Sequence, residues 1–295
     1  MAVQGATVAP PAWSGLAPPA WSGLGWSGVA VAVLVAWGCS AATPAPDQPE
    51  LLARAEAAGD ALERCAGGSP LACDMGVVQT EKVIDADPES YAARRAVELL
   101  FQHREALARS GVLVSDELLD MYERHKDSLL AGHFLFYSAL SLSDNGPSQA
   151  SLYLLMLLVD HHSASPLWDD GVVHAADLLS ALGRHGDEAL LLEEALTPRP
   201  GRGSDALADA FCQRLRIRLA GLYERQGRYD EALYQLELSL NYHPVESLKD
   251  DALWSIAQIY RTQGDRDREA RALAFLLDSC PWSRHAARAR ERLGR

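Results

Sequence analysis

The sequence contains few residues at spacings that would support catalysis or metal binding. His161 and His162 follow Asp160 in a segment of helical pattern. Neighbouring residues on an α-helix point about 100° apart, so these two rings do not chelate one ion well. His185 and Asp187 lie in a predicted turn. We interpret both groups as polar clusters at helix ends.

The motifs of the common enzyme classes are missing from the sequence. It contains no Gly-x-Ser-x-Gly, no P-loop, no His-Glu-x-x-His and no dinucleotide-binding glycine fingerprint. No Cys-x2-Cys pair occurs and no histidine lies at ligand spacing from a cysteine, which opposes a structural zinc site. We therefore expect no metal ion, no cofactor and no catalytic activity.

Carboxylates are the remaining candidates for chemistry. Asp169-Asp170 and Asp250-Asp251 occur at equivalent positions, each predicted to precede a helix, where N-capping and the helix macrodipole favour acidic residues. The alternative is an α-helical enzyme whose catalytic carboxylates lie in residues 48–131. It requires a deep cleft with two facing carboxylates and a raised pKa. Its candidates by residue type are Glu98, Glu105, Glu117 and Glu123.

The elements that would position these residues are helices. Apolar residues recur at helical spacing and predict helices over 49–66, 71–86, 91–110, 116–130, 134–142 and 148–159. Gly111 is the expected C-terminal cap of the third, and Ser115 the expected N-cap of the fourth. Asp144-Asn145-Gly146-Pro147 is a strong turn signal and predicts a helical hairpin. The fold class is therefore all-α.

The sequence then becomes self-similar. Asp170 and Gly183 are 13 positions apart, as are Asp251 and Gly264, and residues 162–189 align without gaps on 243–270. Between these segments lies a further pattern of small, aromatic and turn residues, namely Leu219-Ala220-x2-Tyr223, Gly227, Tyr229, Ala232, Leu236 and Pro244.

This pattern resembles the tetratricopeptide repeat (TPR), a helix–turn–helix unit of about 34 residues. The resemblance implies a TPR-like helical-hairpin solenoid over 132–295, closed by a C-terminal capping helix, with an additional N-terminal helical region at 48–131. Trp168 and Trp282 are expected to be packing residues near repeat boundaries.

The resemblance also implies where a partner binds. Ligands of TPR proteins lie in the groove lined by the first helix of each repeat, and Trp and Arg dominate interface energetics. Carried onto this sequence, the partner-binding candidates are Arg214, Glu224, Arg225, Trp254, Gln258 and Arg261. The alternatives are an ordinary solvated groove with Trp254 partly in the core, or a groove filled by the N-terminal helices of the chain itself.

The N-terminal segment is different in character. Residues 1–46 contain no charged side chain, and the segment Ala-Pro-Pro-Ala-Trp-Ser-Gly-Leu occurs twice in tandem. The apolar run Val29–Trp37, followed by Gly-Cys39, resembles a bacterial lipoprotein signal. It implies a leader at 1–38, lipidation of the Cys39 thiol and a membrane tether at 39–47. The alternatives are a transmembrane anchor, a signal cleaved without lipidation and an apolar leader with no targeting role.

The other four cysteines are Cys65, Cys73, Cys212 and Cys280. An even number in an exported chain is compatible with two disulfides, whose pairing the sequence leaves open, or with four buried thiols. Cys65 and Cys73 flank a turn and could close a small loop.

The net charge of the chain limits the classes of partner that it is expected to bind. The 295 residues carry a formal net charge of −13, which opposes binding to nucleic acid or to an anionic membrane surface. We therefore expect a non-catalytic, membrane-tethered TPR scaffold that binds a protein or peptide in the bacterial cell envelope. Ser40 after the lipidated cysteine favours the outer membrane, with the domain facing the periplasm. The alternative is an envelope enzyme acting on cell-wall glycan.

Overall fold

The computed structural model describes residues 49–197, 210–242 and 246–294. In these ranges the chain forms helices and no strand, so the all-α class is confirmed. The predicted leader, Cys39, the tether and the loop after residue 197 lie outside the described residues. The helices are α1 (Pro49–Ala66), α2 (Pro70–Ala86), α3 (Tyr91–Gln102), α4 (Arg104–Arg109), α5 (Val114–His125), α6 (Ala131–Ser143), α7 (Gln149–His161), α8 (Trp168–Ala181), α9 (His185–Ala195), α10 (Ala210–Arg225), α11 (Tyr229–Tyr242), α12 (Glu246–Thr262), α13 (Arg266–Ser279) and α14 (Ala286–Arg292).

The first two helices form a tight hairpin. Cys65 and Cys73 are joined by a disulfide across the turn, and both are buried. Farther along α2, Gly76 lets the two helices approach, because a Cβ at this position would lie 2.6 Å from Cδ2 of Leu62. The predicted closure of a small loop is confirmed. Cys212 and Cys280 are buried and are not joined by a disulfide. Both alternatives, two disulfides and four buried thiols, are therefore wrong, because the described residues hold one disulfide.

The predicted helix over 134–142 begins three residues earlier, at Ala131, and two other predicted helices differ more. The predicted helix over 91–110 is divided at His103, whose Nδ1 lies 2.9 Å from the carbonyl oxygen of Leu99. The predicted helix over 116–130 instead runs from Val114 to His125. Ser115 is therefore inside this helix and is not its N-cap, whereas Gly111 has the positive φ expected of a helix terminator.

Three later hairpins, α8–α9, α10–α11 and α12–α13, turn in the same way. Gly183, Gly227 and Gly264 have φ values of 71°, 74° and 77°, which glycine adopts without steric cost. In each turn the amide after the glycine donates to the carbonyl five residues earlier, at 2.8–2.9 Å. This is the Schellman arrangement that ends a helix, and it reverses the chain after the first helix of each pair.

The helices pack mainly on their neighbours in the chain, around three hydrophobic clusters. One joins α1 to α6, a second runs from α6 to α12, and a small third joins α12, α13 and α14. Helix α6 belongs to both large clusters, with Phe134 in one and Leu135 in the other. Packing is therefore continuous across residue 131, where the predicted N-terminal region meets the predicted repeats.

No helix in the described ranges combines the length and apolar character needed to cross a membrane.

Candidate functional site

The six predicted partner-binding residues lie on α10 and α12, which pack against each other directly. Arg214 and Arg225 are about three turns apart on α10 and so share one face. On α12, Trp254, Gln258 and Arg261 follow at intervals of four and three residues, which also places them on one face.

The α10 residues present a partly basic surface. Arg214 and Arg225 are exposed. The Arg225 side chain lies beside Gly221, with Nη1 3.8 Å from the position that an added Cβ would take, which is an ordinary van der Waals distance. Glu224 is half-buried, and this burial raises the pKa of its carboxyl, while the Arg225 charge acts in the opposite direction. The two exposed guanidiniums are available to an acidic or aromatic group from outside.

Of the three predicted residues on α12, one is exposed to solvent and two contact the C-terminal helical segment. Arg261 is exposed. The Trp254 ring stacks on the ring of His285 at 4.8 Å with an interplanar angle of 6°. The guanidinium carbon of Arg292 lies 5.1 Å from the centre of the same ring, and Nη1 of Arg292 donates to the Gln258 amide oxygen. Helix α14 thus covers the part of the surface that holds Trp254 and Gln258.

Arg292 also reaches the next helix. Its Nε donates to Oε1 of Glu269 on α13 at 2.8 Å. Glu269, His285 and Arg292 are not among the residues predicted from the sequence to line the site. The sequence feature that could have indicated Arg292 is the repeat length, because Gln258 and Arg292 are 34 positions apart, the length of one TPR unit.

A cluster of possible metal ligands lies at the base of α14. One ligand atom each from Asp250, Asp251 and His285 lies within 4.8 Å of the others. These atoms are already engaged, since Asp250 accepts from Ser283 at 2.7 Å and Asp251 contacts His285 at 2.9 Å. Arg284 also donates to Asp251 at 2.8 Å. That guanidinium opposes a cation, and the arrangement fastens α14 to α12.

The structure corrects two predictions near this site. Asp250 and Asp251 lie in the second turn of α12, not before the helix, because α12 begins at Glu246. Trp282 was predicted to pack, but 63 % of its surface is exposed. Trp168 does pack, since it is buried and its indole N–H donates to the Val159 carbonyl at 3.0 Å.

The carboxylates of the N-terminal region show one perturbed group. Glu117 on α5 has a raised pKa, first because it is partly buried and second because Glu81 lies near it. Glu81 is itself paired with Arg124 at 3.0 Å. Of the other candidates, Glu98 pairs with Arg95 on its own helix, and Glu105 and Glu123 are exposed.

No protein-family model matches this chain, and no curated protein matches it either.

Proposed function

We propose that this chain is a non-catalytic, membrane-tethered scaffold with a TPR-like helical-hairpin solenoid over 132–295, which binds a protein or peptide partner in the bacterial cell envelope. The observation that carries the proposal is the side-by-side packing of α10 and α12, which presents three exposed arginines, Arg214, Arg225 and Arg261. No nucleic acid is expected as partner, since the chain carries a net charge of −13.

The hairpin geometry supports a repeat architecture. The three equivalent glycine turns end the first helix of each pair in the same way. Helices α10 and α12 pack together although α11 lies between them in sequence, as the first helices of neighbouring repeats do in a stacked array. A surface built from successive first helices suits an extended ligand.

The surface is tested by retention of a partner. The chain from Cys39 onward is used as bait in a host-envelope extract, beside an Arg225→Glu/Arg261→Glu double variant. Both changes are at exposed positions, so they alter charge without removing core packing. Arg271→Glu on α13, also exposed, is the matched control. We expect one protein to be retained by the unmodified chain and the control and lost by the double variant. Equal retention by all three would contradict the proposal.

The membrane tether rests on Cys39, which follows the apolar run Val29–Trp37. We expect metabolic labelling with an alkyne fatty acid to mark the full chain in its host and to leave Cys39→Ala unlabelled. The other four cysteines serve as internal controls. An unmodified chain that is unlabelled but still pellets with membranes would favour a transmembrane anchor instead.

One observation favours the enzyme alternative, namely the raised pKa of Glu117 beside Glu81. A general acid needs such a pKa. Glu81 is held by Arg124, however, so the pair also fits a salt-bridged contact between α2 and α5. Loss of a glycan-cleaving activity in Glu117→Gln, with folding intact, would establish the enzyme and refute the scaffold.

A further inference from the structure

The covered part of the candidate surface has a defined chemistry. Trp254 and Gln258 of α12 and Glu269 of α13, which we call the α12–α13 face, all contact Arg292 of α14. The face offers a ring for a cation–π contact, an amide oxygen and a carboxylate. Each of these groups favours a guanidinium, so the face is built to receive an arginine.

Helix α14 is held on this face chiefly by polar contacts. Among its seven residues only Ala286 and Ala289 are buried. The cluster that joins it to α12 and α13 has five buried residues, whereas α10 alone buries nine. A helix of this length is marginal without its partners. Release of α14 therefore uncovers less buried surface than release of α10 would.

The charged groups of α12 and α13 that contact the C-terminal segment are acidic. Asp250 and Asp251 contact the residues just before α14, and Glu269 pairs with Arg292. Arg284, Arg288, Arg290 and Arg292 make the C-terminal segment basic. Charge complementarity of this kind fixes register and selects the partner more than it raises affinity.

We propose that the α12–α13 face is a receptor for an arginine-bearing helix, that α14 occupies it within the chain, and that a basic helical segment of a partner protein takes its place. This inference rests on the proposed scaffold function, whose surface it extends. The part of the surface formed by Arg214, Arg225 and Arg261 stays open, and the part formed by Trp254 and Gln258 opens when α14 leaves.

The test uses the chain from Cys39 onward and a fluorescein-labelled peptide with the sequence of residues 281–294. Binding is measured by fluorescence anisotropy. In the unmodified chain α14 competes with the peptide. In Arg292→Ala that competition is weakened, so we expect the peptide to bind at least about tenfold more tightly, because apparent affinity scales with the fraction of open surface.

Three controls make the result specific. Arg290→Ala, at an exposed position of α14, is expected to match the unmodified chain. The double variant Arg292→Ala/Glu269→Ala is expected to lose the tighter binding of the peptide. A peptide in which alanine replaces the arginine that corresponds to Arg292 is also expected to lose it. Far-UV circular dichroism checks that helix content is kept. If Arg292→Ala lowers the helix content by more than the α14 residues account for, the measurement is made with His285→Ala. That variant weakens the attachment of α14 by removing the contacts of His285 with Trp254 and Asp251.

The inference is overturned if the peptide binds none of the forms, if Arg292→Ala and the unmodified chain bind it equally, or if Glu269→Ala leaves binding unchanged. These failures are distinct from failure of the scaffold. A partner retained through Arg225 and Arg261 while the peptide does not bind would keep the scaffold and remove only the exchange of α14.

Discussion

At the scale of single residues, the most consequential contact is an ion pair between hairpins whose carboxylate is buried and whose guanidinium is partly exposed. Glu188 on α9 is 1 % exposed, and its Oε1 lies 2.7 Å from Nε of Arg218 on α10. Arg218 also pairs with Asp177 on α8 at 2.5 Å. One guanidinium thus links three helices, and a buried carboxylate depends on it.

This dependence predicts a large effect from one substitution. Arg218→Met leaves the buried Glu188 carboxylate with His185 alone, at 3.3 Å. We expect the free energy of unfolding to fall by at most about 3–5 kcal/mol, the range for a fully buried pair, because Arg218 is partly exposed. Urea denaturation followed by circular dichroism measures it. Arg184→Ala removes an exposed pair with Asp187 and is the control, with an expected loss below about 1 kcal/mol. Similar losses in both variants would contradict this view of the buried pair.

A second residue makes stability depend on pH. His133 on α6 is buried, and burial, followed by the charge of Arg94, lowers its pKa from 6.5 to about 4. In the unfolded chain the imidazole of His133 binds a proton below its ordinary pKa of 6.5. In the folded chain the same imidazole stays neutral down to about pH 4. Stability therefore falls as the pH is lowered through this window, by up to about 3 kcal/mol.

The variant His133→Leu is expected to flatten that dependence. Unfolding free energies are compared at the two ends of the window for His133→Leu, the unmodified chain and His161→Gln, an exposed control. An unchanged slope in His133→Leu would show that other groups carry the acid sensitivity.

At the scale of elements, close approach of α1 and α2 depends on Gly76. A Cβ there would meet Leu62 at 2.6 Å, so Gly76→Ala is expected to lower the free energy of unfolding by about 1–3 kcal/mol through overpacking. At Gly186 in the first turn of α9, a Cβ would have nothing within 4 Å. Gly186→Ala is therefore expected to be neutral or slightly stabilising. Thermal denaturation of both variants measures the two changes in stability. Equal changes in Gly76→Ala and Gly186→Ala would contradict the close packing of α1 and α2 at Gly76.

The helices themselves were largely predictable, and the misplaced ends have physical causes. The start of α5 was missed because Val114 is buried and the helix begins from Leu113, whose carbonyl accepts from the amides of Asp116 and Glu117. Its end was missed because Leu129 donates to Glu89, 40 positions earlier. A tertiary contact of this kind leaves no local signal in the sequence.

The spacing of contacts differs along the chain. Arg124 and Asp85, which form an ion pair, are 39 positions apart in the sequence. Tyr122 and His162, which share a hydrogen bond, are 40 positions apart. Near the C-terminus the separations are 33 and 34. A separation of 41 also joins Arg218 to Asp177 in the later hairpins, so these contacts do not define one repeat length for either part of the chain.

At the scale of the whole molecule, the candidate surface was only partly predictable. The resemblance to the TPR selected three arginines of α10 and α12 as candidates, and helical spacing places Arg214 and Arg225 on one face. That α14 covers Trp254 was not predicted, because it depends on where the last helix folds back. The period of 34 that pairs Gln258 with Arg292 was present in the sequence but has meaning only once α14 is known to pack on α12.

The central claim is that α10 and α12 together form the partner-binding surface, and photo-crosslinking in living host cells tests it most directly. A photoreactive amino acid replaces Arg225, Arg261 or, as control, Arg271, each of which is exposed. The account predicts one common protein crosslinked from positions 225 and 261 and absent from position 271. Crosslinks to the same protein from all three positions, or none from 225 and 261, would contradict it.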